Sequence, residues 1–119
     1  MKLRLRILNK MKVSCVATHN SGYLDTLKYA CHLYNIKLDI LGWKQEWKGL
    51  HSKLDYWRDY VNNCDDNEII LLLDAFDVLI MASENEIVEK FLLFNCDIVF
   101  GVEIPANKFQ EYFYRKVFN

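Results

Sequence analysis

The sequence of 119 residues has no CxxC pair; its four cysteines, Cys15, Cys31, Cys64 and Cys96, are widely and irregularly spaced. That spacing argues against a zinc site. Each lies in or beside an apolar stretch, so small buried thiols in a reducing compartment are expected rather than a disulfide framework. No apolar run approaches the ~20 residues that a spanning helix needs. Residues 1–10 alternate basic and apolar side chains, too short and too charged for the apolar part of a secretory signal, and no small-residue cleavage site follows. A soluble, cytoplasmic protein without a membrane partner is expected, with Met11 as an alternative start. The formal net charge of -1 gives no pull toward nucleic acid. There is no internal repeat, no low-complexity tract and no inner linker, so the chain reads as one small domain.

What the chain does have is apolar content, 52% of residues, enough for a packed core. Its pattern alternates between two periods. A β-rich apolar run at 13–18 predicts a first strand. Asn20 or Ser21 is expected to cap the next helix, whose face carries Leu24, Leu27, Cys31 and Tyr34, with Asn35 as its stop. Ile36, Leu38 and Ile40 alternate with polar residues, as in a strand that is half-buried or lies nearer an edge. A loop with Trp43 and Trp47 follows. Ser52 and Asp55 resemble a capping pair for a helix with Leu54, Trp57 and Val61 on one face. The continuous run at 69–73 predicts a central strand covered on both faces. Ser83 and Glu86 form a capping box for a helix carrying Ile87, Phe91 and Phe94. A further buried strand is expected at 98–102, and a helix at 108–119. Strands alternating with helices predict an α/β fold with a mostly parallel sheet and flanking helices in three layers.

Open parallel sheets bind ligands at the carboxyl ends of their strands. Thr18, Asp74, Asp77 and Glu103 fall at those ends. Side chains three apart on a regular strand point to opposite faces, so Asp74 and Asp77 converge only if the strand stops near Asp74 and the chain turns. Converging carboxylates repel unless a cation lies between them, and hard oxygen ligands suit Mg²⁺ or Mn²⁺. The alternative is a turn cap at Asp74 and a solvated charge at Asp77; the pattern alone does not choose. Phosphatases with an aspartate nucleophile need a D-x-D spacing that Asp77-Val78-Leu79 does not supply. A loop tryptophan covers either core or ligand. Core is favoured for Trp43 and Trp57, ligand contact for Trp47. His32 reads as surface, and His19 and His51 fall near the ligand edge without a motif around either.

Taken in order, these residues resemble the glycosyltransferase domain of the procollagen-lysine hydroxylase/glycosyltransferase (lysyl hydroxylase) family. The matching blocks are Val16-Ala17-Thr18, Gly22-Tyr23 and the helix to Tyr34-Asn35, then Leu41-Gly42 and Gln45-Glu46-Trp47-Lys48-Gly49, then Lys53. They continue through Ile69 to Ile80 with Asp74-Ala75-Phe76-Asp77, the helix from Glu86 to Phe94, Ile98-Val99-Phe100, Glu103 and Pro105. The resemblance implies a GT-A-like (Rossmann-like) nucleotide-binding fold with a UDP-sugar held through Mn²⁺. It assigns the metal to Asp74 and Asp77, and nucleotide contacts to Thr18, Trp47, Lys53, Phe76 and Asp74. Phe76 stands where the family usually has Tyr. The loop between Trp47 and Lys53 is shorter than in the family and lacks its Gly-rich run. The chain matches only the N-terminal half of that domain; the other half carries a His that completes the metal site, and the acceptor side. A truncated GT-A-like domain over residues 1–119 is therefore expected: a fragment, a split gene product or a degenerate copy, with a second chain as a possible source of the other half. Two functions follow from the resemblance. One is a UDP-hexose transferase acting on hydroxylysine or galactosyl-hydroxylysine of a collagen-like polypeptide. The other is a UDP-sugar-binding module without turnover. Animal members of the family work in the secretory pathway, from which a cytoplasmic chain departs.

Overall fold

A computed structural model describes residues 11–101 together with Lys108, Phe109, Tyr112, Arg115 and Lys116. The elements run β1 (Met11–Val16), α1 (Leu24–Leu33), β2 (Leu38–Leu41), α2 (Leu50–Asn62), β3 (Ile69–Leu73) and α3 (Glu84–Leu93). The three strands form a parallel sheet in the order β2-β1-β3. Its registers pair Val13 with Leu38 and with Leu71, and Cys15 with Ile40 and with Leu73. The α/β expectation holds, with helices flanking a parallel sheet.

The first strand is the central one. Val13, Ser14 and Cys15 are essentially inaccessible, as a strand covered on both faces must be. Val13, Cys15 and Ala17 share one face and meet Leu24, Leu27 and Cys31 from α1, with Ile36, Ala75 and Ile80 closing the cluster. Burying Leu24 and Leu27 completely contributes about 1.5–3 kcal/mol each. Ser14 points to the other face, level with Asp39 of β2 and Leu72 of β3. The Tyr60 hydroxyl of α2 donates to Asp39 Oδ2 at 2.8 Å, so α2 lies on that face. Right-handed crossovers that step first to one side of β1 and then to the other require helices on opposite faces.

Several local expectations are corrected. The strand at 69–73 has the predicted bounds, but among the described strands it borders the sheet rather than occupying its centre, and Leu72 is exposed. Residues 98–101 form no strand, and Ile98 and Phe100 are 69% and 82% exposed; no described strand pairs with this segment. Val102, Glu103 and Pro105 lie outside the described residues, as do residues 1–10. Neither Asn20 nor Ser21 caps α1: its N-cap is Tyr23, whose amide is taken by the Phe76 carbonyl, and the Asn20 amide donates to Asp25 instead. Helix α2 begins earlier than the Ser52 pair implies, after Gly49, and the Ser52 hydroxyl donates to the Gly49 carbonyl. Its apolar face is not buried: Leu54 is 64% exposed, and Val61 is exposed too. Tyr34 and Phe94 likewise fall on exposed helix ends.

Other expectations are met. Asn35 closes α1 with φ 54°, β2 is half-buried at an edge, and Ser83 caps α3 by accepting from the Glu86 amide. The described residues within 108–119 are helical. Among the described residues, no helix is long and apolar enough to cross a membrane.

Candidate functional site

The strand order reverses direction at β1, so the chain leaves β1 toward one side and later returns on the other. Such a switch point opens a crevice beyond the carboxyl ends of the two strands that flank it, here β1 and β3. A cavity of about 390 Å³ lies there, within the range of small-ligand sites. Its wall brings together Thr18 from the end of β1, Trp47 from the loop after β2, Lys53 from α2, and Asp74, Phe76 and Asp77 from the segment after β3. All six residues singled out from the sequence thus share one cavity.

Each is placed by a local cause. Strand β3 stops at Leu73 and the chain bends through 75–77, which lets Asp74 and Asp77 face the same space despite their spacing. Ala75 and Ile80 anchor this bend in the core, while both carboxylates stay exposed. Phe76 is fixed from behind by Gly22. The glycine has φ 52°, and a Cβ there would sit 2.6 Å from the Phe76 carbonyl oxygen and 2.8 Å from Phe76 Cβ. The next amide, that of Tyr23, donates to the same carbonyl at 2.8 Å. The loop that carries Trp47 is tied to the end of β1, because the Lys44 amide donates to the Thr18 carbonyl at 2.9 Å. Gly42 (φ 73°) and Lys44 (φ 61°) turn this loop outward.

Lys53 lies in the first turns of α2. Its ammonium forms an ion pair with the Asp74 carboxylate and sits 4.7 Å from the centre of the Trp57 ring. Asp77 has no ion-pair partner among the described residues. The two carboxylates of this wall face one ammonium, that of Lys53. Carboxylate oxygens are the donor type that Mg²⁺ and Mn²⁺ take. Among the described residues, no group of three His, Cys, Asp or Glu side chains converges for a metal.

The sequence left His19 without a role. The structure puts it in the cavity wall, with Nδ1 3.0 Å from the Thr18 hydroxyl and its ring 5.6 Å from that of Phe76, inclined at 44°. Its position directly after Thr18 was the only signal. His51 does not line the cavity, and His32 is on the exposed side of α1, as expected. Trp43, expected in the core, is instead exposed, with the Lys28 ammonium 5.1 Å from its ring centre. Trp57 is half-buried, with no hydrogen-bond partner for its enclosed Nε1 among the described residues.

Residues 8–113 match the family described as the PLOD GT domain. The chain belongs to this glycosyltransferase-domain family. It is also 35% identical over 107 residues to a procollagen-lysine,2-oxoglutarate 5-dioxygenase of Drosophila melanogaster. That alignment takes in 80% of this chain and 14% of the relative, so the chain spans about one seventh of the length of the protein it matches. As a PLOD GT domain, the chain has the fold described above: a parallel sheet with flanking helices, compatible with part of a GT-A-like arrangement.

Proposed function

We propose that the cavity binds a UDP-hexose with Mn²⁺ and that the chain serves hexosyl transfer to hydroxylysine or galactosyl-hydroxylysine of a collagen-like polypeptide. The observation that carries this reading is the convergence of Thr18, Trp47, Lys53, Asp74, Phe76 and Asp77 on one crevice in a PLOD GT domain. The acceptor follows from the relative, whose name specifies procollagen lysine.

In this reading Asp74 and Asp77 hold the metal, and their exposure leaves its other positions to diphosphate oxygens. The bound metal would offset the charge on the departing diphosphate. Phe76 offers a ring face to the base but, unlike Tyr, no hydroxyl; Trp47 supplies a second apolar surface. The Thr18 hydroxyl is a hydrogen-bonding group at the β1 end, within reach of His19 Nδ1. The Lys53 ammonium lies in the same wall as the carboxylates, close enough to serve an anionic ligand.

A second reading is a UDP-sugar-binding module without turnover, acting alone or with a second chain. It is favoured by the donor set, because the described residues supply two carboxylates and no third metal-ligating side chain beside them. One assay separates the two readings. The chain is incubated with Mn²⁺, UDP-glucose or UDP-galactose, and a collagen peptide containing hydroxylysine or galactosyl-hydroxylysine. Transfer predicts one added hexose on the peptide by mass spectrometry, lost in Asp74→Asn. Donor binding with no modified peptide contradicts the transferase and leaves the binding module.

A further inference from the structure

Lys53 occupies a position that helix stability does not explain. It lies four residues into α2, whose first turn holds no acidic residue. A cation there opposes the helix dipole. Its side chain is nevertheless only 20% exposed, with the ammonium between the face of Trp57, one turn further along the helix, and the carboxylate of Asp74. Asp74 is therefore already engaged by a positive charge, whereas Asp77, in the same wall, is not.

We infer that Lys53 is a tethered counter-ion that competes with a divalent cation for Asp74, and so couples binding of the cation to binding of the diphosphate. This rests on the reading of Asp74 and Asp77 as metal ligands. A cation arriving alone must displace the ammonium from Asp74 or share the carboxylate with it against like-charge repulsion. Arriving with a diphosphate, it meets a different balance, because the displaced ammonium gains an anionic partner in the same cavity. The cation is held weakly until the nucleotide is present, and by reciprocity the nucleotide is held weakly until the cation is present. Repulsion between an ammonium and a dication held a few ångströms away amounts to about a factor of ten even in water.

The test is a Mn²⁺ titration of the full chain, reading free Mn²⁺ by electron paramagnetic resonance, with and without UDP. The proteins are the wild type, Lys53→Met and Lys53→Arg, with melting curves to establish folding; Lys53→Gln replaces the Met variant if that one does not fold. Lys53→Met is expected to bind Mn²⁺ alone about tenfold more tightly than the wild type, because the like-charge repulsion is gone. It should also gain less from UDP, so the factor by which UDP tightens Mn²⁺ shrinks. Lys53→Arg keeps the charge and should behave as the wild type does. A merely structural lysine would not tighten the metal when removed. If Lys53→Met binds Mn²⁺ alone no more tightly, while the wild type still gains from UDP, the counter-ion role is overturned and the proposed function stands. If UDP leaves Mn²⁺ binding unchanged in the wild type, the metal reading and the counter-ion role both fall.

Discussion

Gly22 shows how one residue without a side chain shapes the cavity. Its positive φ and its approach to the backbone of Phe76 leave no room for a Cβ. The closest atom is a carbonyl oxygen that also accepts from Tyr23, so it cannot swing aside without breaking that bond. Gly22→Ala is expected to cost about 2 kcal/mol of stability, from the strained φ together with the clash. It should also weaken UDP binding, because relief of the clash pushes the 75–77 bend into the cavity. Urea unfolding and a UDP titration of the same variant check both effects. Unchanged stability would show that Gly22 does not hold Phe76. The sequence marked Gly22 only through the family resemblance, since a lone glycine before a helix carries no sign of what it will touch. His19 was harder still. Its contact with Phe76 depends on β1 and β3 being adjacent, which no local pattern around His19 encodes.

Among the elements, β1 carries both the core and the cavity edge. Burial, reinforced by neighbouring Cys31, pushes the Cys15 thiol on this strand up from its ordinary 9.0 to about 11. Burial also raises Cys31, and burial together with the bond to Asp39 raises Tyr60. An acid with a raised folded pKa retains its proton in the native state where the unfolded chain has lost it. Stability from Cys15 is therefore complete below about pH 9 and is lost as pH rises toward 11. Chemical unfolding across that window should show declining stability, and Cys15→Ala, though less stable at neutral pH, should decline less steeply. Equal slopes in the two proteins would remove the linkage from Cys15. The period-2 and period-3.6 patterns located the elements themselves well, as with the bounds of β3 and the Ser83 cap. They failed on neighbours. A run such as 69–73 looks central because it is uniformly apolar, yet the sheet order among the described strands places it at a border. The apolar run at 98–101 has strand-like composition but no described strand beside it, and pairing rather than composition makes a strand. Leu54 and Val61 have helical spacing, and the helix forms, but spacing cannot say whether anything covers that face.

Over the whole molecule, the parallel sheet, its reversal at β1 and the crevice beyond β1 and β3 explain why residues from four separate segments meet. That convergence was legible in outline, because apolar strands ending in Thr18 and Asp74 must deliver those residues to one edge of a parallel sheet. The family match fixes the ancestry of this arrangement, and the central claim is that the crevice takes a nucleoside diphosphate through a cation on Asp74 and Asp77. Calorimetry of UDP binding, with and without Mn²⁺, tests it on the wild type and on Asp77→Asn. The substitution keeps the side-chain shape and replaces an anionic oxygen with a neutral amide. Asp77 is exposed and has no ion-pair partner among the described residues, so the change should move stability by no more than about 0.5 kcal/mol. Mn²⁺ is expected to tighten UDP binding to the wild type by at least about tenfold, and Asp77→Asn to abolish this gain while melting as the wild type does. Equal UDP affinity with and without Mn²⁺ in the wild type would contradict it, leaving Asp74 as a lysine-paired turn residue and Asp77 as a solvated charge.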